Sequence, residues 1–313
     1  MLVTGGAGFI GHNLVKTLLS NQHKVNILDI TSSEDSRVKA LIGMGASYYQ
    51  GDIRDSSAIT RAGQDCTHIV HLAAQTSVPA SVENPTLNDE INIIGTRNII
   101  DFINSHDIKK IVSASSAAVY GNCDQIPLAE KSAGECLSPY AESKFQNEAD
   151  LFNLVNDNTG VHVLRFFNVY GPGQGTESNY AAVIPSFIDK IISGKSPTIF
   201  GDGSQSRDFV EVSDVVSLIL QILADQNNVP NDVYNVATQT ETSILELLQL
   251  ISKSVAEIDP SIPIPKVNHQ GKRSGDIDIS LADIAKVKSA FNWQPKQSIE
   301  EGIASLVAFE LGS

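Results

Sequence analysis

Short apolar runs alternate with longer amphipathic stretches through the first half of the chain. "MLVT" precedes a helical pattern at 9–20, and "KVNILD", "SYYQGD" and "THIVHLAA" follow, the last leading into a helical pattern at 88–105. "KKIVSAS" precedes a further pattern at 139–156, and "VHVLRFFNVYG" closes the series. Strand-like runs separated by segments of 3.6-residue period predict βαβ units, hence a parallel sheet with helices on both faces. The fold class read from this rhythm is α/β, a doubly wound parallel sheet.

After about residue 170 the rhythm breaks into "GPGQGTESNY", a helical pattern at 181–193 and the loop-rich "GKSPTIFGDGSQSRDF". A strand-like "DVYNVAT" and further helices finish the chain. There is no low-complexity linker and no internal repeat, so this second region is expected to pack on the first, with a ligand cleft between them. The 313 residues are 42% hydrophobic and 19% charged, which suits a soluble protein of two domains. A formal net charge of −14 argues against nucleic acid or an anionic membrane as partner, since both attract a positive field. Cys66, Cys123 and Cys136 form neither a disulfide framework nor a metal-ligand spacing, so no metal is expected and the setting reads as reduced and cytoplasmic. No apolar run is long enough for a membrane span, and the opening residues do not read as a signal peptide.

"VTGGAGFIG" sets Gly5, Gly8 and Gly11 directly after the first strand, at the mouth of a helix continued by Leu14, Leu18 and Leu19. Glycines so placed let the backbone turn tightly and approach a pyrophosphate, while the helix N-terminus offers N–H donors. This is the dinucleotide arrangement of a Rossmann sheet. Asp29, closing the second strand, can accept from both adenosine ribose hydroxyls and would repel a 2′-phosphate, so NAD is expected rather than NADP. Asp52 in "GDIRD" is a candidate for the adenine amino group, or a plain helix cap.

"SPYAESK" puts Tyr140 and Lys144 on one helical face. Alone, such a pair reads first as an ordinary packed helix surface, since both residue types are common. Beside a dinucleotide site it reads as a proton-transfer pair, with the preceding strand ending at Ser115-Ser116 on the same sheet edge. Lys144 and a positive nicotinamide ring are expected to pull the Tyr140 phenol toward neutrality, Lys144 to bond the nicotinamide ribose, and Ser116 to hold the substrate hydroxyl. Among seven histidines, His71 is expected to be buried rather than catalytic, and Phe166-Phe167 to be core, with Phe167 against the nicotinamide.

"TGGAGFIG", "HLAA" at 71–74, "NIIGTRNII", "SSAAVYG", "YAESK", "RFFNVYGP" and "GDGSQSRDFV" resemble, in order and spacing, the extended short-chain dehydrogenase/reductases. The chain is most similar to their NAD-dependent sugar-nucleotide epimerases and dehydratases, among these the UDP-glucose 4-epimerases. The likeness extends to "KRSGDIDISLADIAKVKSAFNWQP" near the end, while the first strand, opening at Met1, is shorter than usual and suggests a trimmed N-terminus. The resemblance implies a Rossmann domain at 1–168, with 210–237 returning to it, and a smaller α/β nucleotide-sugar domain at 169–209 and 238–313. It adds Phe9, Ile10, Ile53, Leu72, Ala73, Ala74 and Asn92 to the cofactor site. It places Asn168, Arg207 and Arg273 on the diphosphate, Phe200 at the base, Asp276 at its ribose, and Val183 and Ser280 near the sugar. Read alone, either arginine could equally form a surface ion pair, Asp208 and Asp276 being close in sequence.

Dehydratases of the resembled family carry acids where this chain has Ala117 and Ala118, and methyl groups cannot move the protons of an elimination. The resemblance therefore implies UDP-hexose 4-epimerisation through a 4-keto intermediate, the small Ser280 leaving room for N-acetylated sugars. The alternatives are a UDP-glucuronate 4-epimerase, an NAD(P)-linked 4-ketosugar reductase, and, from another class, a non-catalytic dinucleotide sensor. A homodimer paired through the 88–105 and 139–156 helices is also implied.

Overall fold

The computed structural model describes residues 1–175, 182–226, 229–272 and 277–312. Its strands are β1 (Leu2–Thr4), β2 (Asn26–Asp29), β3 (Ser47–Gln50), β4 (His68–His71), β5 (Lys110–Ser116) and β6 (Gly160–Phe166). They continue as β7 (Asn168–Tyr170), β8 (Thr198–Phe200), β9 (Ser206–Glu211), β10 (Asp232–Val236), β11 (Glu241–Ser243), β12 (Asn268–Gln270) and β13 (Ile279–Ser280). Seven of these form one parallel sheet in the order β10-β6-β5-β4-β1-β2-β3. The chain runs outward from β1 to β3 and then crosses back to β4 on the other side of β1. That reversal opens a crevice at the carboxyl ends of β1 and β4, where ligands bind in open α/β sheets.

Burial on both faces explains the near-continuous apolar strands. Leu2, Ile69, Ile111 and Val163 pack into one core with Ile59, Ile99, Ile103 and Leu151. Their neighbours Val3, Val70, Val112 and Leu164 point into the other, with Leu14, Leu18, Leu218 and Trp293. A third core, built on Phe187, Ile188, Leu247, Ile251, Ile303 and Val307, supports the second region.

The strand-like "DVYNVAT" is β10, which extends the main sheet beyond β6 instead of pairing locally. The Val212–Ala224 helix that precedes it lies in the same core as Leu14. In the second region β9 pairs with β7, β11 and β13, while β8 pairs with β12. The pattern at 88–105 is the end of a longer helical run from Pro85 to Ser105 that passes through a π-helical turn at Glu90–Ile94. Helices at Ser36–Gly43 and Ser56–Gly63, which the apolar pattern does not single out, are capped by Asp35 and Asp55.

Candidate active site

The loop after β1 is shaped by contacts that only glycine permits. Gly5 has φ +69°, and a Cβ there would lie 2.7 Å from the Ala73 nitrogen. At Gly11 a Cβ would lie 2.1 Å from the Gly5 carbonyl oxygen. Gly8 is the N-cap of the Phe9–Ser20 helix and supplies no side chain, leaving the first-turn N–H groups without a side-chain cap. Asp29 closes β2 behind this loop, accepting from Ala7 N at 2.9 Å with one oxygen and from Thr31 N and Oγ1 at 2.9 and 2.8 Å with the other. Its side chain is therefore aimed before any ribose arrives.

A cavity of about 890 Å³ opens over this loop. Gly5, Gly8, Phe9, Ile10, Gly11, Asp29, Asp52, Ile53, Leu72, Ala73 and Ala74 line one part of it, and Ser116, Tyr140, Lys144, Phe167 and Asn168 line the rest. A glycine cradle that a Cβ would fill, a capless helix N-terminus and a pre-aimed carboxylate fit NAD. Asp52 lies two residues beyond β3 and is already engaged by Arg54, whose guanidinium sits 2.8 Å away and holds the carboxyl below its usual range. Asn92 is not among the lining residues. From its π-helical turn it bonds the backbone of Gln75 in both directions, at 2.8 and 3.1 Å, and reaches Ser143 Oγ at 3.1 Å, tying the cavity loop to the helix of Tyr140.

That helix, Pro139–Leu154, starts at a Ser138 cap with proline in its first turn. Tyr140 is buried, its backbone N–H donating to Ser81 Oγ at 3.1 Å, and its side chain lines the cavity together with Ser116, the last residue of β5. Lys144 is buried too, with Nζ donating to the Ala114 carbonyl at 3.0 Å. Burial pulls the Lys144 ammonium down to about 8, against an opposing pull from Glu148. For the protein alone, desolvation pushes the Tyr140 phenol up, and Ser116 offsets that only in part. An apolar pocket disfavours phenolate until a further positive charge enters it.

His71 is buried as expected. Its Nδ1 meets Thr4 Oγ1 at 2.7 Å and its Nε2 meets Thr96 Oγ1 at 3.1 Å, so it rivets β4 to β1 and to the Gly95–Ser105 helix. Burial, and secondarily Lys144, pull its pKa to about 3, so folding holds it neutral while the unfolded chain protonates below about pH 6.5. Stability should therefore fall as pH drops from about 6.5 toward 3, by up to about 4 kcal/mol from this residue. Denaturant midpoints across that range should be flatter in His71→Gln; an unchanged slope would show that other groups dominate.

The remaining predicted residues lie in the second region. Val183 opens the Val183–Ile192 helix and Phe200 ends β8. Ser280 in β13 is registered against Arg207 in β9, and Arg207 Nη1 donates to the carbonyls of Ser206 and Ile277, both at 2.7 Å. None of these four lines the 890 Å³ cavity, whose lining on that side includes Ala182. Arg273 and Asp276 lie outside the described residues. The sequence reading missed Gln75 and Gln174, which line the cavity with Oε1 atoms buried and unpartnered among the described residues. It also missed Thr31 and Arg37 at the Asp29 end. Gln75 directly follows "HLAA", the one local signal that could have pointed to it.

Residues 1–237 match the NAD dependent epimerase/dehydratase family, and the chain belongs to that family of NAD-dependent enzymes. A UDP-glucose 4-epimerase of Mycolicibacterium smegmatis is 33% identical over 98% of this chain and 97% of its own. The Thermotoga maritima UDP-glucose 4-epimerase, solved with UDP-glucose, superposes with a TM-score of 0.89 at 32% identity, covering 99% of this chain and 98% of that one. A UDP-N-acetylglucosamine 4-epimerase of Methanobrevibacter ruminantium, solved with UDP-N-acetylmuramic acid, also gives 0.89, at 33% identity over 99% of this chain and 97% of that one. Among the described residues no helix is long and apolar enough to cross a membrane, and no group of three or more His, Cys, Asp or Glu side chains could hold a metal.

Proposed function

We propose that this chain is a UDP-hexose 4-epimerase acting on UDP-glucose and UDP-galactose and on the N-acetylated pair. The observation that carries the reading is that Ser116, Tyr140 and Lys144 line the dinucleotide cavity together, at a site where Ala117 and Ala118 replace any acid. NAD, held by the Gly5–Gly8–Gly11 loop and Asp29, would supply the redox chemistry at C4, serving as hydride acceptor and donor with no net change. Tyr140 accepts the proton of the 4-hydroxyl and later gives one back. Ser116 holds that hydroxyl in line. The Lys144 ammonium favours the phenolate, and the positive charge of the bound cofactor adds to it, opposing the burial that raises the phenol. The 4-keto sugar turns about its link to the diphosphate between the two transfers.

Residues 1–168 with 210–237 hold the dinucleotide in this reading, and the rest holds the nucleotide sugar. Asn168, Arg207 and Arg273 grip the diphosphate, since guanidinium forks match phosphate oxygens. Phe200 lines the base and Asp276 meets the ribose. Ser280 and Val183 border the sugar, and the small Ser280 leaves room for a 2-acetamido group. Three free cysteines accord with a reduced, cytoplasmic setting.

The test uses purified protein with no cofactor added, incubated separately with UDP-glucose, UDP-N-acetylglucosamine and UDP-glucuronate, the C4 epimers being resolved by NMR. Conversion of either of the first two supports the reading. Conversion of UDP-glucuronate alone shifts it to that sugar, and no conversion even with NAD added overturns it.

A homodimer is part of the proposal. Leu87, Ile94, Phe145, Phe152 and Leu154 stand 37 to 49% exposed on the helices at 85–105 and 139–154. Exposed apolar groups on two helices that pack together are the kind of surface a partner buries. Light scattering should give twice the mass of the chain, and Phe152→Glu should shift it toward the monomer; a monomeric wild type would refute the pairing.

A further inference from the structure

The inward face of the Pro139–Leu154 helix carries an ion pair that the reaction above does not use. Glu148 stands one turn beyond Lys144 and is buried with it. Arg165 grips its carboxylate with both arms of the fork, Nε to Oε1 at 2.9 Å and Nη2 to Oε2 at 2.6 Å. Ser115 Oγ donates to the same Oε1 at 2.5 Å. Ser115 and Arg165 are register partners across β5 and β6, so two adjacent strands hold one carboxylate of the helix. Arg165 Nη1 also donates to the Tyr120 hydroxyl at 3.0 Å and the Glu130 carbonyl at 2.7 Å. Tyr120 in turn donates to Asn235 Oδ1 at 2.5 Å, and Asn235 Nδ2 donates to the carbonyls of Leu128 and Asp283 at 2.8 and 3.0 Å. The chain of bonds thus runs from the Tyr140 helix to the segment that follows Ser280.

A buried ion pair is a poor way merely to hold a helix, because well-packed apolar residues often do as well or better. Its placement suggests a second role. Two consecutive residues of β5 are tied to this helix, the Ala114 carbonyl by Lys144 and the Ser115 hydroxyl to Glu148, and the next, Ser116, lines the cavity with Tyr140. A slip of the helix along β5 would misalign both bonds together and carry Tyr140 away from Ser116.

We propose that Glu148, clamped by Arg165 and Ser115, is a positioning residue that sets the Tyr140–Lys144 pair against Ser116 and provides the counter-charge that keeps Lys144 an ammonium. The inference deepens the reading of Tyr140 and Lys144 given above and rests on it. Burial lowers Lys144, and Glu148 is the anion that opposes this. The other groups around Lys144 do not take its place. His71 on β4 is neutral, β5 offers only the hydroxyls of Ser113, Ser115 and Ser116 near its end, and Arg165 on β6 is bound to Glu148 itself. Tyr120 is bound to Arg165 and Asn235, and Lys110 and His162 lie toward the amino ends of their strands. On the helices packed outside, Arg97 pairs with Asp150 at 2.6 Å, Glu90 with Arg54 at 3.1 Å, and Asp89 accepts from Asn88, while Glu83 and Asp101 are exposed.

The test compares Glu148→Gln, which keeps the shape and removes the charge, with Glu148→Asp, which keeps the charge and withdraws it by one methylene. The Lys144 titration is read by NMR on NAD-bound protein carrying ¹³C-lysine, its signal assigned with Lys144→Met. Glu148→Gln should lower the Lys144 midpoint by about one pH unit and carry the basic limb of the kcat–pH profile down with it. Glu148→Asp should restore most of that midpoint yet lose about tenfold in kcat, with KM nearly unchanged, because the helix register is disturbed. If Glu148→Gln does not fold, the apolar exchange Glu148→Leu with Arg165→Met replaces it, and a downward midpoint shift is still expected, smaller because the Arg165 cation leaves with the nearer anion. An unmoved Lys144 midpoint in the folded charge-removing variant, with only thermal stability lost, overturns the proposal. The midpoint needs no substrate, so a shifted midpoint in a protein that epimerises no UDP-sugar would sink the functional reading alone.

Discussion

Replacing Tyr140 by Phe should lower kcat for epimerisation by about a thousandfold while leaving the melting temperature within a few degrees of wild type. The two halves of this expectation come from different parts of the same side chain. The ring is buried and its packing survives the change, as does the backbone N–H bond to Ser81. What disappears is one hydroxyl, on a side chain that lines the cavity with Ser116. Ser116 keeps a partner in the Ala118 N–H, at 3.1 Å, so no buried acceptor is stranded. Without the phenol, no other side chain among the described residues at this point of the cavity can take the 4-hydroxyl proton: Lys144 donates to the Ala114 carbonyl, and Ala117 and Ala118 carry only methyl groups. Epimer formation followed by NMR, alongside a thermal melt, decides it. Retention of more than about a tenth of the wild-type rate would show that Tyr140 is not the group that moves the proton.

Gly11→Ala is expected to yield protein without bound dinucleotide, and less stable by more than about 3 kcal/mol if it folds. Its new Cβ would stand 2.1 Å from the Gly5 carbonyl oxygen and 2.7 Å from the Gly6 Cα, distances that backbone atoms cannot accept. Either the Phe9–Ser20 helix moves off the loop or the loop opens. Movement of the loop drags on Gly5, whose own surroundings are closed by the Ala73 backbone on β4's side of the crevice. The phosphate cradle depends on that approach, so cofactor retention and stability should fail together. Absorbance of the purified protein and its denaturant midpoint measure the two effects. A variant that purifies with NAD at wild-type occupancy would mean that the glycine serves the turn alone.

Much of the proposed site could be read from spacing because its parts are local. Gly5, Gly8 and Gly11 belong to one strand–loop–helix unit, and Tyr140 and Lys144 are one helical turn apart. Asp29 needed only the end of the second apolar run. Asn92 shows where this kind of reading stops. Its motif placed it beside the cofactor but said nothing of the partners the structure gives it, the Gln75 backbone and Ser143, 17 and 51 residues away. Strand pairing was opaque for a related reason. The apolar pattern of "DVYNVAT" marks a strand but carries no label for its neighbour, and β10 lies against β6, about seventy residues earlier. The second-region residues came from family resemblance, and no periodicity in "GDGSQSRDFV" would have brought Arg207 beside Ser280.

What the sequence by itself determined, then, is the doubly wound class, the glycine cradle with its carboxylate, and the Ser116, Tyr140 and Lys144 constellation, because each rests on a period or a spacing inside one or two adjacent elements. The tertiary structure alone decided which strands are neighbours, and with that the meeting of Ser115 and Arg165 on Glu148. It also decided the proton energetics: desolvation lowers Lys144 and raises Tyr140 according to what is packed around them, and that surrounding is assembled from distant parts of the chain.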